Sequence, residues 1–332
     1  MIWLTLFLTL LLILVAAEIF VNALEHLGEK LGISEGVTGS VFAAVGTALP
    51  ETMVPLIAIF GGTTASSAEI GTGAILGAPL MLSTLSLSLM GFAVLGRRGI
   101  NGHFHPERSG LSRDLNTFLA AFMLACASMF VPHANPAIRA SLAFSMVVIY
   151  FIYILLTLRA SSQLVANGHA TEAESPMWLT RLGLPNHLLS ILAQLGLALA
   201  LLTVSAEHFI TAIGHAAPLL GISPLLLSLL IVPVATELPE KINSILWVRR
   251  NKDTLAFGNI TGALVFQGTL LPAIGIGLTP WTPQPAILSG LVLTIAGAAW
   301  LRLCLLRGQL RIWQLWVNGA LYLAYLTINL IN

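Results

Sequence analysis

Glu51 and Glu240 each stand directly after a proline, deep inside an apolar stretch, and 189 positions apart. A carboxylate in hydrocarbon is expensive, and a proline inside a helix deletes a backbone donor, leaving a carbonyl without its partner. Pro50 cannot donate to the carbonyl of Gly46, and Pro239 cannot donate to that of Ala235. Each break therefore sets a freed carbonyl oxygen beside a carboxylate and a threonine hydroxyl, Thr47 in one stretch and Thr236 in the other. Carboxylate, hydroxyl and carbonyl oxygens are what hard cations such as Na⁺ and Ca²⁺ bind, with no need of sulfur or imidazole. The second stretch adds Glu237, three residues before Glu240 and so on the same helical face, and Lys241, placed to pair with it or to take part in coupling. This pattern points to an ion site at the middle of a membrane.

The two stretches are copies of one another. Residues 15–51 lie on residues 204–240 without a gap, and 15 of the 37 positions are identical. A second matched pair follows, Gly73, Gly77 and Ala78 against Gly258, Gly262 and Ala263. Small residues four apart let helices approach closely, so these segments are expected to press against the broken ones. Asn259 would then bring an amide oxygen to the site.

The elements that must position these residues are membrane helices. Hydrophobic residues make up 57% of the 332 and charged residues 9%, with mean hydropathy +0.91, which excludes a soluble enzyme or a nucleic-acid-binding protein. About 20 apolar residues span the hydrocarbon layer. That length gives ten spans, at 2–24, 36–60, 67–95, 115–132, 136–158, 187–213, 223–248, 254–278, 284–304 and 309–330. Ser34, Asn186 and Ser223 with Pro224 are read as helix starts. The first 24 residues lack a basic beginning, and their end recurs at Ser205, so a retained span is expected there in place of a signal peptide.

Thirteen of the 15 Lys and Arg fall on alternate loops, leaving Arg139 on the opposite side and Lys241 within a span. The positive-inside rule puts the basic loops in the cytoplasm and both termini outside, in an integral membrane protein of the cell inner membrane. Five spans per copy make the copies cross in opposite directions. The fold class is thus all-α: ten transmembrane helices as two inverted five-helix repeats, 1–158 and 187–332, with broken helices at the centre and a cytoplasmic linker at 159–186.

Other polar residues have plainer readings. Glu18 and Glu207 are matched between the copies and sit about two turns from their span ends, which suits a structural or gating contact. Ser66 and Glu69 have the spacing of a capping box. His26 and His215 also match, near span ends, where a pH-sensing role is the alternative to a structural one. His103 and His105 fall on the opposite side from His133, so no metal cluster is expected, and Cys126 and Cys304 read as small core residues.

An intramembrane enzyme using the paired acids, or a passive cation channel, are the competing readings. The sequence has no HExxH, GxSxG or Walker loop and no aspartate within a predicted span. A pore is expected to repeat its lining, whereas the matched positions Ala48 and Glu237, and Thr52 and Lys241, differ between the two copies. No enzyme activity and no cofactor are expected; the partners are the lipid bilayer and inorganic cations.

With LGIS, GTALPE, ATELPE and GNITGA in place, the chain resembles the sodium/calcium exchanger superfamily, also called cation/calcium exchangers, as a divergent prokaryotic-type member. The resemblance implies a secondary active antiporter, most simply exchanging Ca²⁺ for Na⁺ or H⁺. It implies that Glu51 and Glu240 are the central cation ligands, assisted by Thr47, Thr236 and Asn259, and that the first and sixth spans slide past a rigid core. The chain departs from the family pattern at Ala48 and Ala74, where serine and asparagine are usual, at Pro79 in place of a later asparagine, and at Glu237 and Lys241. Two readings of the coupling follow: Lys241 pairs with Glu237 in the place of a monovalent ion, or Glu237 and Glu240 share a proton.

Overall fold

The computed structural model describes residues 2–34, 37–38, 51–52, 55–56, 59, 65–166, 173, 175–220, 229, 233 and 237–330. Thr47, Thr236, Gly46, Ala235 and Pro50 lie outside the described residues, as do the side chains of Pro239, Glu207, His215, Ser66 and Glu69.

The shared motif LGIS marks a helix end. Helix α1, Ile2–Leu31, stops where Gly32 turns to φ +61°, a left-handed conformation that favours glycine. Gly32 N donates to Glu29 O and Ile33 N to Gly28 O, which satisfies carbonyls of the last turn. Ser34 then caps the next turn, accepting at its Oγ from Val37 N over 3.4 Å and at its carbonyl from Thr38 N over 2.9 Å. In the second copy the helix Leu188–Leu220 is described up to the leucine that matches Leu31.

Helix α2, Ala65–Met81, runs through a single π-helical turn at Leu82–Ser86 into α3, Leu87–Arg98. The turn begins three residues after Pro79, which breaks the regular hydrogen-bond ladder. Asn318 supports it by donating from Nδ2 to Ser83 O over 2.7 Å. Strand β1, His103–Phe104, precedes α4, Arg108–Ser128, and α5, Pro136–Ala166. A short α6, Trp178–Arg181, leads to α7, Leu188–Leu220. Helices α8, Leu238–Arg249, α9, Asp253–Leu278, and α10, Pro285–Leu306, follow. Strand β2, Leu310–Arg311, pairs antiparallel with β1 before α11, Ile312–Leu330.

Five described helical stretches are long and apolar enough to cross a membrane: Gly71–Arg98, Pro136–Ala160, Leu188–Ser205, Asp253–Leu278 and Pro285–Leu306. Their outer faces are apolar; α5 alone exposes Phe144, Phe151, Ile152, Leu155 and Leu156. In water such a face would associate, whereas in a bilayer it meets lipid.

Helix α9 is buried along nearly its whole length and packs against α4, α5 and α8. The largest helix–helix contact joins α1 to α7. Polar groups lock that pair to the segment leading into α6. Asn22 donates to Ser175 and Pro176 carbonyls and accepts from Trp178 N and from Gln194 of α7.

Three details differ from the sequence reading. Helix α4 begins at Arg108 and not at 115, because Glu107 caps it with bonds of 2.7 and 2.6 Å from Ser109 N and Gly110 N. Asp114 consequently lies inside a helix, fully buried, accepting from Tyr153 Oη and Thr261 Oγ1. At the start of α7 the cap is His187 in place of Asn186: its Nδ1 accepts from Ser190 N over 3.1 Å and its carbonyl from Ile191 N.

Candidate cation site

Helix α8 starts at Leu238 with Pro239 in its first turn, where a missing N–H does no harm, and Glu237 is its N-cap residue. Residues three and four apart on a helix share a face, so Glu237, Glu240, Lys241 and Ser244 form one polar stripe. All four are buried. Lys241 Nζ lies 3.1 Å from Glu237 Oε2, and also donates to Pro233 O over 3.3 Å and to Met81 Sδ over 3.1 Å. That last contact reaches from α8 to the residue before the π-turn.

Helix α9 supplies the opposite wall. Asn259 donates from Nδ2 to Glu240 O and to Ser244 Oγ, each over 3.0 Å, and Ser244 Oγ donates in turn to Ala256 O. The amide is thereby fixed by its nitrogen, and its Oδ1 is buried with no hydrogen-bond partner among the described residues. Two turns further on, Gln267 donates to Glu51 Oε2 over 2.6 Å. Glu51 is 3% exposed and stands within electrostatic reach of Glu240, Glu237 and Lys241, which brings the acids of the two copies into one neighbourhood.

Close packing makes this possible. A Cβ on Gly77 would fall 2.5 Å from Leu229 O and 2.8 Å from Pro233 Cγ, so only glycine lets α2 lie against that backbone.

The interior oxygens facing this region are unusual. Glu51 Oε1, Glu237 Oε1, Asn259 Oδ1 and Gln267 Oε1 are all buried and receive no hydrogen bond among the described residues. Buried polar atoms are ordinarily satisfied, and acceptor oxygens without donors are suited to a cation. Among the described residues no three His, Cys, Asp or Glu side chains converge as a metal cluster.

Gln267 and Asn243 are absent from the sequence reading. Both are fully buried, and both amide atoms of Asn243 lack hydrogen-bond partners among the described residues. The available signal is an amide inside an apolar span, which is itself a functional marker. Glu18 is placed elsewhere: it pairs with Arg250 over 3.4 Å where both are partly exposed. His26 donates to Ser175 O over 2.9 Å and joins α1 to the segment that leads into α6. His103 meets Gln309 beside the β1–β2 ribbon, and lines with His105 a separate cavity of about 570 Å³.

The family profile described as sodium/calcium exchanger protein matches residues 1–159 and 190–331. The chain is 25% identical to the inner membrane protein YrbG of Escherichia coli (strain K12) over 276 residues, 83% of this chain and 79% of that protein. It is 24% identical to the putative antiporter CaxA of Alkalimonas amylolytica over 283 residues, 81% of this chain and 77% of that one. Among solved structures, the sodium-calcium exchanger NCX_Mj superposes with a TM-score of 0.72 at 20% identity, covering 99% of both chains. The H⁺/Ca²⁺ exchanger CAX gives a TM-score of 0.72 at 20% identity, covering 100% of this chain and 82% of that one.

Proposed function

Because the chain belongs to the sodium/calcium exchanger family, we propose that it works as a secondary active antiporter in which Glu51 and Glu240 jointly hold the transported cation, most simply Ca²⁺ exchanged for Na⁺ or H⁺. The observation that supports this reading is that Glu51 and Glu240, one from each copy, are both buried and interact electrostatically, with Glu51, Asn259 and Gln267 oxygens that receive no hydrogen bond among the described residues. Asn259, Glu237, Thr47 and Thr236 complete the proposed donor set, with the carbonyls freed at Gly46 and Ala235 by Pro50 and Pro239. Gln267 holds Glu51 in place. The names of the relatives, a putative antiporter among them, agree with this reading.

The proposed architecture is ten helices in two inverted repeats, 1–158 and 187–332, joined by a cytoplasmic linker at 159–186. Its support is the repeat of the LGIS sequence in both copies and the alternation of basic loops. Both termini then lie outside the cell inner membrane. In this arrangement α1 and α7 form the moving pair, and Glu18 and Glu25 of α1 tie it to α8 and its following loop on the cytoplasmic side. Glu207 is the proposed counterpart of Glu18 in the second copy.

The experiment is tracer Ca²⁺ uptake into liposomes holding the purified protein, under separate Na⁺ and H⁺ gradients. Gradient-driven uptake by the native protein and its loss in Glu240→Gln is the expected result. Uptake that survives neutralisation of both Glu51 and Glu240 refutes the assignment.

A further inference from the structure

We propose that the cavity beside the β1–β2 ribbon is a binding site for the phosphate headgroup of an anionic phospholipid. The lipid enters from the membrane leaflet on the side of the basic loops.

The lining supplies the donors. His103, His105 and Arg108 stand on one side, and Leu305, Gly308 and Gln309 on the other. The volume of about 570 Å³ falls in the range of roughly 300–1,000 Å³ usual for small-ligand sites. Arg108 donates one guanidinium nitrogen to Gly308 O, which ties the two sides together, and a guanidinium carries five N–H donors in all. His103 Nε2 meets Gln309 Oε1 over 3.1 Å, and the rings of His103 and His105 lie 6.4 Å apart. The nearby acids are committed elsewhere. Glu107 gives both carboxylate oxygens to the first N–H groups of α4, and Asp253 accepts from His105 N and pairs with Arg98 over 2.9 Å. Guanidinium and imidazole donors around a cavity whose one lining carboxylate is already engaged suit a phosphate.

Depth in the membrane selects a lipid over a dissolved phosphate compound. Helix α10 has 22 residues, about 33 Å at 1.5 Å per residue, against a hydrocarbon layer of about 30 Å. Leu305, in its last turn, lines the cavity, so the cavity sits at the level where headgroups lie. Leu303 and Leu306 of the same turn are exposed, at 40% and 66%, and offer acyl chains an apolar surface that a free phosphate has no use for. Arg307 and Arg311 are exposed on the loop that follows and add to the positive field. Basic pockets between transmembrane helices on the positively charged side are recurrent sites for anionic headgroups.

The test counts bound lipid. Detergent-purified protein is titrated with phosphatidylglycerol and read by native mass spectrometry, with phosphatidylcholine and glycerol 1-phosphate as parallel arms. The expected result is one tightly held phosphatidylglycerol, with both other compounds bound at least about tenfold more weakly. Arg108→Gln should weaken phosphatidylglycerol by about tenfold or more, as loss of a charge-assisted hydrogen bond requires, and His105→Gln should act in the same direction. Arg159→Gln removes one charge from another basic stretch, outside the cavity, and should leave binding unchanged. Equal weakening by Arg108→Gln and Arg159→Gln overturns the proposal, because diffuse surface charge then accounts for the binding. Glycerol 1-phosphate held as tightly as the lipid overturns the lipid assignment, and native protein that retains no phosphatidylglycerol overturns the site. Should Arg108→Gln fail to fold, His105→Gln decides, since His105 is exposed and its structural bond is made by its backbone.

Discussion

The indole nitrogen of Trp247 donates to Glu25 Oε1 over 2.8 Å, joining α1 to α8 at a point where both side chains are buried. Lys252 Nζ stands 3.7 Å from the same oxygen, and Glu18, two turns earlier on α1, meets Arg250 of the same loop. If α1 and α7 move against the core, these contacts must break for the basic-loop side to open.

Glu25→Ala should therefore destabilise the closed arrangement. It leaves a buried indole N–H without its acceptor, a penalty of about 1–3 kcal/mol. The expected readout is faster backbone hydrogen exchange at residues 245–252, on the order of tenfold for each 1.4 kcal/mol. Glu25→Gln keeps an acceptor for the indole and loses only the ion pair, so its effect should be smaller. Equal exchange in all three proteins would remove the latch.

Gln267→Leu tests the second wall of the site. The Gln267 amide makes a charge-assisted hydrogen bond to Glu51, of a kind contributing roughly 1.5–3 kcal/mol. Loss of the donor frees Glu51 to turn, and the half-saturating Ca²⁺ concentration should rise by roughly tenfold or more. A protein with native affinity would show that Gln267 does not set the position of Glu51.

Gly32 and Ser34 test why LGIS occurs twice. Gly32→Ala forces a side chain into φ +61°, at a cost of about 1 kcal/mol. Ser34→Ala removes the acceptor for Val37 N and costs a similar amount. Each should lower the melting temperature of detergent-purified protein by about 2–4 °C. A change at Gly32 with none at Ser34 would limit the motif to ending α1.

The readability of this chain depends on which features leave a periodic or repeated trace. Glu51 and Glu240 are conspicuous because an acid after a proline in an apolar run is costly and occurs twice. The apolar spans from Pro136, Leu188 and Pro285 are long and uniform, so composition alone places them. The beginning of α4 leaves no such trace, since its first turns are polar and held by Glu107. Asp114 is obscured for the same reason. The π-turn after Pro79 depends on Asn318, more than 200 residues away, and no local pattern encodes that contact. Gln267 is a single amide in an apolar run, and its partner Glu51 comes from the other copy.

Gly77 offers the most direct check on how the two copies approach. Its missing side chain lets α2 lie against the backbone at Leu229 and the ring of Pro233, whose carbonyl also receives Lys241. Gly77→Ala places a methyl group 2.5 Å from a carbonyl oxygen, which cannot yield as a flexible side chain would. Overpacking of this kind costs about 1–3 kcal/mol, and Gly77→Val should exceed it. The melting temperature should fall in the order native, alanine, valine. Because the displaced backbone carries Pro233 and leads to Glu237, Ca²⁺ uptake should fall in the same order. A valine variant with native stability and native uptake would mean that α2 and the Leu229–Pro233 segment do not touch in the working protein.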